Sequence, residues 1–247
     1  MSSRADIDAG RLIYTCHCGW IDKGHANPRR TSRPHVGALA LWDQFLKESG
    51  ERSEFDDGFQ VIYTQDMGKF GFTLGVTRSY FVRRGLSIPE RESIALAIFM
   101  EVSGAFEDLQ GQFPSIVPGL GRVADSSYSQ EDLISNLLGF YKAVRPGTDY
   151  LQLCAPVSVE ASKKVWDQYG SVGSIKNKNF FKPITHPCEE CKGRSIFPPQ
   201  LQVIQPAQKE PLKKGAKFRD WSWRDSEKRD RELNERLLMK DRFGPKW

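Results

Sequence analysis

A glutamate in the middle of an apolar helical stretch is the first residue that asks for a chemical explanation. Glu101 lies between Met100 and Val102, and at helical spacing its same-face neighbours are Ala97, Ile98, Gly104 and Ala105. Burial raises a carboxyl pKa unless a cation or a donor meets it, and a pocket carboxyl held protonated is how a general acid is made. The same pattern also suits a structural carboxylate paired to an arginine. Asp108 returns to the Glu101 face seven residues on, and Glu107 precedes it. Either could be the second carboxylate of an acid/base or metal pair, although an exposed acid in a last turn is the plainer reading. Asp22 and His25 stand three apart, and on a helical turn that spacing suits a metal-ligand pair or a base oriented by a carboxylate. His17 and His35 carry weaker versions of this argument. Glu131 and Asp132 follow Ser129 at helix-start spacing, where capping and dipole complementation already account for them.

Five cysteines are an odd number, and four fall in close pairs: Cys16/Cys18 and Cys188/Cys191, with Cys154 alone in an apolar context. No leader is read at the start of the sequence, so a disulfide framework is not expected. The pairs could instead join as a four-thiolate structural zinc site (Cys16, Cys18, Cys188, Cys191), with His17 or His186 as substitute ligand. A competing reading makes Cys16 or Cys18 a nucleophile with His25 as its base.

The elements that would position these groups describe an α+β fold: a small antiparallel sheet packed by a buried central helix and further helices. Arg11–Cys16 reads as a strand stopping at a Cys-His-Cys-Gly turn, and Trp20–Ala26 as one or two helical turns. Val36, Leu39, Trp42, Phe45 and Leu46 share one helical stripe. Val61–Tyr63 is a strand; Phe70, Phe72, Leu74 and Val76 alternate with small or polar residues; Met67-Gly68 suits the hairpin between them, and Ser79–Arg83 adds a third strand. Ser87-Ile-Pro-Glu90 opens a helix running to about Leu109, apolar nearly all round and therefore buried. A Gly/Pro-rich loop (110–123) leads to a second helix with Leu133, Ile134, Leu137, Leu138 and Tyr141 inward, and Val157–Tyr169 is a third.

Residues 1–182 form the expected α+β body, and residues 183–247 a Pro-rich basic extension. The extension holds 15 Lys/Arg against 10 Asp/Glu, the whole of the +5 net charge. A neutral body makes nucleic acid an unexpected partner. Six prolines between Pro183 and Pro211 exclude regular structure there, while 220–241 offers a charged helix with a thin Leu233/Leu237/Leu238 stripe. Such an extension suits contact with a protein partner. No apolar run reaches the roughly 18 residues of a membrane span. The opening residues lack an apolar stretch, so the expected location at synthesis is cytoplasmic, with any export by a signal-independent machine.

The run Ile13-Tyr-Thr-Cys-His-Cys-Gly-Trp-Ile-Asp-Lys-Gly-His25 resembles the signature of an uncharacterised bacterial family of unknown function whose members are often envelope lipoproteins. Glu101 preceding a later acid, here Glu107, and the segment Ser129–Gly139 (SQEDLISNLLG) are similar to that family's further motifs. The chain departs from the pattern at Phe106, where the family has His, and at Gln130, where Pro is common. The resemblance carries no established activity and concentrates attention on Asp22, His25, Glu101, Glu107 and Asp132; these residues are read as the site of a hydrolase-like domain, for which the family's place in the envelope suggests a peptidoglycan or glycan substrate. Glu101 would be the acid or base, His25 a ligand or proton carrier and Asp22 its orienter. Without a leader, such a domain fits an effector delivered by a contractile or secretion machine. The alternative is a non-catalytic structural or adaptor component that binds its partner through residues 183–247.

Overall fold

A computed structural model describes residues 2–28, 33–50, 58–69, 72–112, 127–193, 195–211, 215–221 and 236–237. The fold is α+β, and the chain divides into two units, residues 1–28 with 107–203 and residues 29–106 with 204–247. Both are discontinuous in sequence, so the division expected at 182/183 is not where the chain separates.

The first unit is built on a hairpin. Strands β1 (Leu12–Thr15) and β2 (Gly19–Asp22) pair antiparallel, from Leu12 opposite Asp22 to Thr15 opposite Gly19. The Thr15 hydroxyl closes the turn, donating to Gly19 O and accepting from Cys18 N. Gly19 is required there: its φ is +68°, and a Cβ would sit 2.2 Å from the Ile184 carbonyl oxygen. Short helix α1 (Ala5–Asp8) buries Ile7 beside this hairpin. Residues 154–157 run alongside β1, with Val157 N–H donating to Tyr14 O and Cys16 N–H to Ala155 O. Tyr14 and Trp20 meet edge to face at 5.2 Å, and Trp20 meets Trp166 at 5.9 Å.

Helix α4 (Asp132–Val144) is the centre of this unit, with only Lys142 not buried. Its sequence carries Asp132, Ser135 and Asn136 beside the Leu133/Ile134/Leu137/Leu138/Tyr141 stripe, and these polar residues are buried as well. At its start, Asp132 Oδ2 accepts from Ser129 N–H in a capping arrangement. Helices α5 (Tyr150–Leu153) and α6 (Val159–Tyr169) complete the unit, capped by Asp149 and Ser158.

In the second unit, α2 (Ala38–Lys47) buries Ala38, Leu41, Trp42 and Phe45, while Leu46 is exposed. The Gln44 side chain pins α2 to the sheet, donating to Ile62 O and accepting from Ile62 N–H. Strands β3 (Gly58–Lys69) and β4 (Phe72–Arg83), 12 residues each, form one long hairpin. Ser79–Arg83 is thus the continuation of β4 rather than a third strand, and Met67 and Gly68 are paired within β3, opposite Leu74 and Thr73, rather than forming the turn. Helix α3 (Ile88–Gln112) starts at the expected box, Glu90 accepting from Ser87 N–H and Oγ. It buries Ile94, Leu96, Ile98, Phe99, Val102 and Phe106.

The extension departs most from expectation. Residues Phe218–Asp220 form β5 on the β4 edge, Val82 opposite Phe218, and Arg236–Leu237 form β6 on the same strand. Phe218, Arg219 and Trp221 are buried. The helix expected over 220–241 is replaced at both strands, and the rest of that span lies outside the described residues, as do Phe70 and most of the 110–123 loop. Among the described residues, no helix is long and apolar enough to cross a membrane.

Candidate acid–base site

Strand β2 ends on Asp22, and the chain turns at once: Ala26 N–H donates to Asp22 O, and Gly24 N–H to Asp22 Oδ1 at 2.7 Å. The expected helical turn is therefore a tight turn after a strand, because pairing with β1 claims Trp20 and Ile21. Buried Asp22 is held further by Ser2 Oγ at 3.1 Å and the Arg11 guanidinium at 3.2 Å. The turn lies close against α4 because Gly139 lacks a side chain; a Cβ there would meet His25 O at 3.0 Å.

His25 is the accessible member of the group, with 45% of its side chain exposed, and its Nδ1 lies 3.4 Å from Asp132 Oδ1. Desolvation lowers the imidazole pKa, the Asp22 charge opposes that, and the Arg11 charge adds to it. Asp132 is buried, and its pKa is pushed well up, by desolvation first and then by Glu107 and Glu131. Glu131 is also raised, to about 7, by desolvation; its own backbone N–H and Ser2 oppose this, and Asp22 adds to it. One Glu131 oxygen, Oε2, is buried without a hydrogen-bond partner, as suits a carboxyl that keeps its proton. Glu107, from the last turns of α3, is raised to about 7, by desolvation against the donated Tyr128 N–H, with Glu131 adding to it.

Tyr128 takes a positive φ of 52°, rare for a residue with a side chain, and its N–H meets Glu107 Oε2 at 2.7 Å. Ser127 Oγ donates to Glu107 O. These two residues also line a cleft of about 280 Å³ with Asp108, Gly111, Lys176 and Lys178. Tyr128 and Lys178 crowd together there, the ammonium 4.5 Å from the ring centroid, while the Tyr128 hydroxyl bonds Asp108. Glu107 is one hydrogen bond behind this wall. Glu107 and Glu131, both raised to about 7, are the members suited to hold a proton near neutrality, as general acid–base work requires.

Four of the five expected site residues, Asp22, His25, Glu107 and Asp132, belong to this electrostatically coupled set in the first unit. Glu101 does not. It belongs to the second unit, where Arg78 of β4 contacts its carboxylate and Lys209 Nζ bonds it at 3.0 Å while also bonding Asp220. A carboxylate on an apolar helix needs a cation, and β4 supplies one; the acid that faces His25 is Asp132. Glu131 is the member that helix-start spacing presented as a cap. No sequence signal set it apart from a cap; it is inside because the start of α4 is buried with the rest of that helix.

The cysteines pair differently from the expected zinc set. Cys16 is bonded to Cys191 and Cys18 to Cys154, leaving Cys188 as the free thiol. A disulfide sulfur carries no thiolate charge for zinc, and it is no nucleophile for His25 to activate. Residues 154–157 run beside β1, which brings Cys154 to Cys18 with their Cα atoms 5.3 Å apart. Among the described residues, no group of three or more His, Cys, Asp or Glu is arranged to hold a metal ion. No protein-family model, curated protein or solved structure matches the chain.

Proposed function

We propose that the first unit is a hydrolase-like domain that acts on a glycan or peptidoglycan substrate of the cell envelope by general acid–base catalysis. The observation that carries this reading is the gathering of Asp22, Glu107, Glu131 and Asp132, all buried, beside a single accessible histidine. Keeping four carboxyls inside a fold is costly without a use or a set of cations, and among the described residues the one ion pair that the buried Asp22 makes is with Arg11 at 3.2 Å. Glu107, against the cleft wall, is the proton donor; His25, oriented by Asp132, takes and returns the second proton; Glu131 holds one in reserve. The Tyr128 ring and the Lys176 and Lys178 ammonium groups suit a sugar bearing carboxylates. The likeness of residues 13–25 and 129–139 to an envelope family supports the same substrate, and two disulfides suit an oxidising compartment after export.

The test is release of soluble fragments from purified peptidoglycan, followed by turbidity and by chromatography. Wild-type protein is expected to release them, and Glu107→Gln to fall at least about 100-fold with its melting curve preserved. Wild-type protein that binds the polymer but releases nothing would instead favour the adaptor reading. The observation on that reading's side is the exposure of Ile196 and Val203 within the segment expected to bind a partner.

A further inference from the structure

A second candidate reactive centre lies in the same unit. A cleft of about 420 Å³ is lined by Cys16, Cys188 and Cys191 together with Lys164, Tyr169 and His186. Two of these cysteines form a disulfide and the third is a half-buried free thiol. Cys188 and Cys191 bracket one tight turn, closed by Cys191 N–H donating to Cys188 O at 3.1 Å. This is Cys-x-x-Cys spacing, at which neighbouring sulfurs readily join. His186 stacks on Tyr169 at 4.6 Å, and its Nε2 lies 3.0 Å from Gln130 Oε1. That oxygen can only accept, so Nε2 carries the proton and Nδ1 is the basic nitrogen. The Cys18–Cys154 bond has no part in the cleft; both residues are fully buried.

We propose that this cleft is a thiol–disulfide exchange site in which Cys188 and Cys16 alternate as the partner of Cys191. Cys188 loses its proton to water or to His186, and its thiolate attacks Cys191 Sγ. The Cys188–Cys191 bond forms, the Cys16–Cys191 bond breaks, and Cys16 leaves with the electron pair and is reprotonated. One disulfide replaces another, so no oxidant or reductant is consumed. What changes is mechanical: Cys16 directly follows β1 and ties the hairpin to the 188–191 turn, and exchange unties it. Because β2 leads directly to Asp22, the hairpin's freedom bears on the acid–base site, but the exchange itself stands whatever chemistry that site performs.

The full oxidised chain is brought from about pH 4 to about pH 8 without added thiol, quenched in acid at intervals, alkylated and mapped by non-reducing peptide mass spectrometry. Two forms are expected, one with Cys16–Cys191 and alkylated Cys188, the other with Cys188–Cys191 and alkylated Cys16. Their interconversion should speed up roughly tenfold per pH unit below the thiol's pKa, and Cys18–Cys154 should be unchanged in both. Cys188→Ser should show the first connectivity alone. A single connectivity at every pH and time overturns the proposal, as do five free thiols in the isolated chain or the same rearrangement in Cys188→Ser.

Discussion

Glu131 shows how much one carboxyl can say when its surroundings are known. Folded, both it and Glu107 titrate at about 7, against 4.5 for a free glutamate. Between those values the native state binds more protons than the unfolded one, so this contribution to stability is complete below 4.5 and disappears as pH rises through about 7. His25 acts in the other sense: with its pKa lowered from 6.5, acid favours the unfolded chain. The two trends overlap in a wild-type melt but separate in a comparison. Glu131→Gln keeps shape and removes the charge. Its unfolding free energy relative to wild type is expected to climb as pH goes from about 5 to about 8, by an amount on the order of a few kcal/mol. A difference that stays flat with pH would mean that Glu131 is never forced to ionise inside. The sequence offered the right residue types here but not their association. Asp22 and His25 were visible by spacing and Glu107 by its helix, whereas Glu101 had the more conspicuous apolar setting and only its contact with Arg78 explains it.

The long helices α2, α3, α4 and α6 were legible because each repeats a pattern over ten or more residues. The box at Ser87–Glu90 and the stripe of α4 fall where periodicity puts them. Short segments were not, because non-local pairing decides them. Trp20–Asp22 fits either a turn of helix or a strand until β1 lies beside it, and Phe218–Asp220 has no alternation of its own and becomes a strand only on the β4 edge. Two consequences can be measured. Gly139→Val would place a branched side chain where even a Cβ lies 3.0 Å from His25 O, lifting the 23–26 turn from α4. Fragment release should drop at least about tenfold while the far-ultraviolet circular dichroism is unchanged, and Gly139→Ala should be milder; full activity in the valine variant would show that the turn's seat does not position His25. Replacing Cys18 and Cys154 together by serine removes a bond spanning 136 residues of sequence. The expected loss is about 2–4 kcal/mol of unfolding free energy in denaturant titration, and no loss would mean that the bond does not form in solution.

At the level of the entire chain, the decisive feature is that neither unit is a continuous stretch. Residues 1–28 fold with 107–203, and residues 29–106 with 204–247, so each unit waits for chain made much later. Charge and proline density suggested an extension that could be removed after 182, because composition reports flexibility of sequence and not where a prolyl segment is laid down. The burial pattern argues otherwise. Leu201 is enclosed in the first unit, and Ile204, Ala216, Phe218 and Trp221 in the second. Burying such side chains is worth roughly 1.5–3 kcal/mol for each large one, against a net stability of about 5–15 kcal/mol for a typical domain. Truncation at residue 182 also deletes Cys191, the partner of Cys16. A chain of residues 1–182 is therefore expected to aggregate or to melt without a cooperative transition, whereas truncation after Trp221, which removes β6 but leaves β5 and every buried residue named here, should keep one. Both are read by calorimetry on purified protein. A monomeric 1–182 fragment with a sharp transition would restore the separable extension and would require each unit to hold together without the strand and the disulfide it draws from the last quarter of the chain.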